Sequence, residues 1–112
     1  MKNPNDSKVK VPYMRDLAQT NNRLIQEGFT RNFKATEEGL QCLETDKLYH
    51  PKDILVVNYF RFEGISDPSD NSILYAIEAT DGTKGTLIDA YGAYSDANVE
   101  NFMKSVKIEE RQ

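Results

Sequence analysis

The sequence predicts a single α+β domain in which an antiparallel meander of about four to five strands is flanked by an N-terminal and a C-terminal helix packed on one face. Three observations predict it. Helical spacing of apolar residues occurs only near the two ends of the chain. The middle is rich in β-forming runs separated by turn residues, among them an Asp-Gly pair. Strand and helix never alternate, which argues against a parallel, doubly wound sheet.

Residues 1–10 are polar and are expected to form a flexible segment before a domain spanning 11–108, with 109–112 as a tail. Pro12 suits the first turn of a helix. Met14, Leu17, Ala18, Leu24 and Ile25 follow at helical spacing, interrupted by Asn21. Asp16 lies early, where the helix dipole favours a negative charge, and Gly28 is placed to end the helix in a left-handed conformation. Phe29 to Thr36 reads as a strand, Glu37-Glu38-Gly39 as a turn, and Leu40 to Glu44 as a short second strand. Asp46 to Asp53 reads as a loop or one helical turn broken by Pro51. Ile54 to Glu63 is the strongest strand, carrying Val56, Val57, Tyr59, Phe60 and Phe62. Both its faces start apolar, which suits a central strand, and the even positions, Ile54, Val56, Asn58, Phe60 and Phe62, look like the core face at the far end.

After a turn-rich loop, Gly64 to Ser72, two strands follow, Ile73 to Thr80 and Thr83 to Tyr91, joined at Asp81-Gly82. A two-residue turn sets Thr80 opposite Thr83. That register puts Ile73, Tyr75, Ile77, Ala79, Ile88 and Ala90 on one face and Leu74, Ala76, Glu78, Leu87 and Asp89 on the other. Ser95 or Asp96 caps the last helix, whose stripe is Val99, Phe102, Met103 and Val106, with Lys104 and Lys107 near its C-terminal end.

Composition narrows the function classes. The chain has 112 residues, room for one core and not two. Six Tyr and five Phe supply large core pieces. With 14 Lys and Arg against 18 Asp and Glu, the net charge is −4, and no basic run occurs, so nucleic acid is not the expected partner. No apolar stretch approaches the ~20 residues that span a bilayer, and the first residues carry no apolar signal core, so no membrane is expected and the cytoplasm is the expected location. The single cysteine, Cys42, forms no internal disulfide and no cysteine zinc cluster.

One segment has a familiar pattern: Arg61-Phe62-Glu63-Gly64, Asp67-Pro68, Asp70-Asn71-Ser72, Tyr75-Ala76-Ile77, Asp81-Gly82, Lys84-Gly85 and Asp89-Ala90-Tyr91-Gly92, then Tyr94 and Asp96. It resembles a family of short bacterial proteins often labelled phosphoribosylpyrophosphate synthetase. The resemblance covers roughly residues 24–106 and is specific over 61–96. The label would imply a Mg-dependent enzyme whose loop amides and carboxylates hold ribose phosphate and pyrophosphate, with basic residues facing a triphosphate. No Gly-rich loop lies between a strand and a helix here and no basic loop is present, so the residues do not support the labelled activity.

Candidate chemistry falls into two groups. Glu63, Asp67, Asp70, Asp81, Asp89 and Asp96 supply oxygen ligands that hard cations favour, and Asp67 and Asp70 are the metal candidates. The segment lacks EF-hand spacing, and Asp and Asn also shape such loops through Asx turns. The second group is the expected open sheet face. Glu78 and Asp89 lie there, Arg61 and Glu63 join from the neighbouring strand, and Tyr59 stands beside them. These residues could bind a polar ligand or form an interface, or they could be a solvated face of surface charges. Tyr91 and Tyr94 frame a pocket or close the end of the core. His50, before Pro51, has no neighbouring nucleophile in sequence, and Cys42 between Leu40 and Leu43 reads as a small buried hydrophobe.

The expected function is a non-enzymatic binding or protein-interaction module, without a cofactor. Its partner would be a protein, a small polar ligand or a second copy in a homodimer. The alternative is a small divalent-ion-dependent enzyme or ligand-binding protein connected with phosphoribosyl or nucleotide metabolism.

Overall fold

The computed structural model describes residues 12–62, 71–90 and 96–109. In chain order the elements are a helix, Pro12–Gln26 (α1), and strands Arg31–Thr36 (β1), Gly39–Cys42 (β2) and Leu48–Tyr49 (β3). A 3-10 turn at Pro51–Asp53 leads to strand Ile54–Phe62 (β4). Strands Ser72–Ala79 (β5) and Lys84–Ala90 (β6), helix Ala97–Met103 (α2) and strand Lys107–Ile108 (β7) complete it. Among the described residues the strands form one seven-stranded sheet in the order β3-β2-β1-β6-β5-β4-β7.

This corrects the expected four-to-five-stranded antiparallel meander. The sheet is mixed and strongly curled. β1 runs parallel to β6 through Arg31↔Gly85 and Asn32↔Thr86, and β7 runs parallel to β4 through Leu55↔Lys107 and Val56↔Ile108. The missed strands are two residues long, β3 and β7, too short to show a period of two. β7 lies parallel to β4 because α2 carries the chain from β6 back across the sheet, and β1 meets β6 from far away in sequence, so no local pattern announces either junction.

α1 ends as its sequence predicts. Gly28 adopts φ 106°, Phe29 N–H donates to the Leu24 carbonyl at 2.9 Å, and Gly28 N–H donates to that of Ile25 at 3.0 Å. This pair of bonds is a Schellman cap, and Leu24 and Phe29 share a core cluster beside it. At the other end of the chain, the Asp96 side chain accepts from Asn98 N–H at 2.8 Å and caps α2.

Two local irregularities decide which side chains share a face. The first is the turn between β5 and β6. Ala79 N–H donates to the Thr83 carbonyl at 2.8 Å, and Gly82 N–H donates to that of Ala79 at 3.0 Å. Ala79 therefore faces Thr83 across a three-residue loop, with Gly82 at φ 92° as its left-handed residue. The Asp81 carboxylate accepts from Thr83 N–H at 3.0 Å and fixes this turn. The expected Thr80–Thr83 register is thus wrong by one residue, and a slip of one flips every side chain of β6. Leu87 (3% exposed) joins Tyr75 and Ile77, while Ile88 (49% exposed) joins Leu74 and Glu78.

The second irregularity is a bulge in β4. Val56 faces Ile77, but the next cross-strand pair is Asn58 with Ala76, so Val57 is the extra residue. Ile54 and Val56 consequently lie on one face, whereas Asn58, Phe60 and Phe62 lie on the other.

The helices lie on opposite faces, not on one. Val99 and Phe102 of α2 pack with Phe33, Leu40, Tyr49, Val56, Ile77 and Leu87. Leu24 of α1 packs with Phe29, Val57, Leu74 and Ala76, with Leu17 and Phe60 partly buried beside them. Among the described residues no helix is long and apolar enough to cross a membrane.

Candidate functional site

The register separates the residues expected to form one site. Tyr59 faces Tyr75, and Arg61, Ile73 and Asp89 make the next cross-strand row, all on the α2 face. The Arg61 guanidinium lies over the Tyr59 ring, 5.8 Å from its centroid. Glu78 is on the other face. Glu63, Asp67 and Asp70 lie outside the described residues, as do Tyr91 and Tyr94. Among the described residues no group of three His, Cys, Asp or Glu could hold a metal ion.

Asp89 has a structural task. Its carboxylate oxygens accept from Asp96 N–H at 3.2 and 3.4 Å, joining the end of β6 to the residue that caps α2. Burial pushes this carboxyl above the usual carboxylate range, and the neighbouring Asp96 and Glu100 charges push the same way. Burial also raises the Tyr75 phenol, and the Asp89 charge adds to the effect. The row thus joins α2 to the sheet by a partly buried carboxylate.

The α1 face carries a better-formed concavity. A groove of about 540 Å³ lies between α1 and the sheet, lined by Arg23, Leu24, Glu27, Phe29, Val57, Asn58, Phe60, Ala76, Glu78 and Lys84. That volume is within the range typical of small-molecule sites, roughly 300–1,000 Å³. The bulge builds its floor, because Val57 and Asn58 together face Ala76. Asn58 Oδ1 accepts from Tyr59 N–H at 2.9 Å, a bond that holds the amide in place.

Each cation of the groove stands over an aromatic ring. Lys84 Nζ is 4.4 Å from the Phe29 centroid and donates to the Glu27 carbonyl at 3.3 Å. It thereby meets the C-terminal end of α1, where the helix dipole favours a positive charge. Arg23 lies 5.6 Å from the Phe60 centroid and forms an i,i+4 ion pair with Glu27 at 3.9 Å. Glu78 faces Lys84 directly across β5 and β6. A ligand here would meet two cations, two carboxylates, an amide and the Phe60 ring, with Leu24, Val57 and Ala76 buried behind them at 3%, 4% and 0% exposed.

Of these residues only Glu78 was singled out from sequence. Asn58, one polar residue inside an otherwise apolar run, was the available signal for a bulge. Arg23 and Lys84 gave none, since their convergence depends on the helix crossing the sheet.

Other polar clusters are structural. Asp81 accepts from Lys47 Nζ at 2.7 Å and from the Tyr49 hydroxyl at 2.9 Å, tying β3 to the β5–β6 turn. The Lys47 ammonium, followed by the Thr83 donors, holds the Asp81 carboxyl far below the usual range. Asn32 donates to Glu44 from its backbone at 2.9 Å and its side chain at 2.7 Å, which lowers the Glu44 carboxyl. Cys42 is buried and its thiol lies 3.7 Å from Glu44 Oε1. His50 is exposed, beside a shallow depression with Lys52 and Ser105.

No family model, curated protein or solved structure matches this chain.

Proposed function

We propose that this protein is a non-catalytic binding module for a small polar ligand, and that the groove between α1 and the sheet is its site. The observation that carries this reading is the convergence of Arg23, Lys84, Glu78 and Asn58 in one groove over the buried cluster of Leu24, Phe29, Val57 and Ala76. A concavity with a few convergent polar groups is the default candidate for a ligand site. Residence in the cytoplasm belongs to the same reading, supported by the lone buried thiol of Cys42. Membership in the family of short bacterial proteins that the central segment resembles is likewise part of the proposal and brings no reaction with it.

A thermal-shift screen of small polar compounds tests it. A ligand of the native state raises Tm with the logarithm of its concentration over Kd once it is in excess. The expected result is a hit whose stabilisation is lost in Lys84→Met, which keeps an unbranched side chain and removes the charge over Phe29. Hits that stabilise Lys84→Met, Arg23→Met and the parent equally would overturn the assignment.

A second reading, a homodimer or a protein complex, has its own observation. Ile88 and Leu48 are 49% and 44% exposed. Both lie on the α1 side of the sheet, over strands that α1 does not cover, by the pairings that link Leu48 through Gln41, Lys34, Asn32 and Thr86. Light scattering that reports a monomer for both the parent and Ile88→Lys would remove the homodimer.

A further inference from the structure

The turn between β5 and β6 carries Asp81-Gly82, the only Asp-Gly or Asn-Gly step in the chain. Such a step can rearrange its own backbone. The Gly82 amide nitrogen bonds to Asp81 Cγ, and the amide proton and the carboxyl hydroxyl leave together as water, closing a succinimide ring. Water then adds back. Where it cleaves the original peptide bond, the chain continues through Cγ as isoaspartate, with no net change in mass. Glycine permits the attack because it has no Cβ to shield its nitrogen, and nothing lies within 4 Å of where a Cβ would stand at Gly82. The Asp81 side chain is 34% exposed, so water reaches it.

Ring closure has three requirements, and the structure opposes each. The carboxyl must be neutral to lose its hydroxyl, but the Lys47 ammonium, followed by the Thr83 donors, holds Asp81 ionised. One carboxyl oxygen must leave. Oδ1 accepts from Thr83 N–H at 3.0 Å, and Oδ2 accepts from Lys47 Nζ at 2.7 Å and from the Tyr49 hydroxyl at 2.9 Å, so losing either oxygen breaks existing bonds. The amide must give up its proton, yet Gly82 N–H donates to the Ala79 carbonyl at 3.0 Å. Lys47 and Tyr49 lie 34 and 32 residues before Asp81 in sequence. Their share of the restraint is therefore tertiary, and it is lost when β3 parts from the turn even while β5 and β6 stay paired.

We propose that Asp81 is a latent isomerisation site, kept as aspartate by the clasp of Lys47 and Tyr49 and converted to isoaspartate when β3 parts from the β5–β6 turn. The product no longer fits the clasp. Its main chain gains a methylene within a three-residue loop, and its carboxylate moves from Cβ to Cα. An opening that reacts thus leaves β3 unlatched.

Peptide mapping with electron-transfer fragmentation distinguishes the two isomers at position 81 and follows the conversion over time. Mildly acidic buffer suits the experiment, because an unfolded aspartate is partly neutral there. The folded parent is expected to convert more slowly than the same chain unfolded in urea. Tyr49→Phe should convert about fivefold faster than the folded parent, the increase in open population that one lost hydrogen bond brings, and at the parent's rate in urea. Leu17→Ala, which loosens the α1 cluster on the opposite face of the sheet, should leave the rate at Asp81 unchanged. A folded parent that converts as fast as the unfolded chain overturns the proposal without need of any variant. A Tyr49→Phe rate equal to the parent's overturns it too, as does equal acceleration by Leu17→Ala, which would assign the protection to the whole fold and not to the clasp.

Discussion

Gly85→Ala is the sharpest structural perturbation available. Gly85 faces Arg31 where β1 joins β6, and those strands meet through two register pairs. A Cβ built at Gly85 collides with the Arg31 carbonyl oxygen, and lies 2.7 Å from the carbonyl carbon and 2.8 Å from the Phe33 ring. Neither neighbour can yield easily. The carbonyl is strand backbone, and Phe33 is 5% exposed and packed edge-on against Tyr49 at 6.0 Å. Relief requires β1 to move away from β6, loosening the only described junction between β3-β2-β1 and the rest of the sheet. Overpacking costs about 1–3 kcal/mol, and a backbone clash belongs at the upper end. A lost ladder bond adds about 1 kcal/mol. The expected loss is therefore about 3–4 kcal/mol, a large part of a typical stability of roughly 5–15 kcal/mol. At roughly 4 °C per kcal/mol for a chain of this size, Tm should fall by roughly 12–16 °C. Urea unfolding and a thermal melt measure it. Gly82→Ala is the control: its φ of 92° strains alanine, but no atom lies within 4 Å of the added Cβ, so about 1 kcal/mol is expected. A Gly85→Ala loss under about 1 kcal/mol with unchanged m would refute the parallel junction.

Further outcomes follow from the polar contacts. Tyr49→Phe removes the hydroxyl bonded to Asp81 at 2.9 Å and Thr83 at 3.0 Å, and should cost about 1 kcal/mol in urea unfolding; no loss would mean the clasp is not formed in solution. The Asp81 carboxyl is lowered from its ordinary 3.8 in the folded state. Its contribution is therefore complete above that value and declines as pH falls through the lower folded value. The stability gap between the parent and Asp81→Asn should narrow on acidification below 3.8, and a gap constant from neutral to strongly acidic pH would contradict this. Asp89 is shifted the opposite way, so its ionisation opposes folding once pH rises above its ordinary 3.8. Asp89→Asn, which keeps an acceptor for Asp96 N–H, should gain on the parent as pH rises from 3.8 to neutrality, and an unchanged difference would count against the burial.

Much of the fold was legible where local chemistry dictates it. Pro12 and Gly28 bracket α1, Asp96 caps α2, and the β-rich runs become β1, β4, β5 and β6. The errors came from choices that sequence leaves balanced. Asp81-Gly82 suits a two-residue or a three-residue turn, and the observed one is selected by burying Leu87 in place of Ile88. The run Ile54 to Phe62 is apolar on both faces, so its alternation conceals the bulge at Val57. That bulge moves Asn58, Phe60 and Phe62 across the sheet. Because both shifts are one residue long, they separate Glu78 from Asp89 and Arg61, and place Glu78 instead beneath α1 with Lys84. The candidate site was therefore legible only in one member, since a groove made by a helix crossing a sheet is a property of tertiary packing.

The most direct test of the groove as the binding site is the ¹H–¹⁵N spectrum of the labelled protein, titrated with the stabilising compounds. Binding in the groove predicts that the largest displacements fall on the amides of Val57, Asn58, Ala76, Glu78 and Lys84. Displacements centred on Thr36, Glu38, Asn98 and Phe102, which line a cleft beside α2, or on Tyr59, Tyr75 and Asp89, would contradict it.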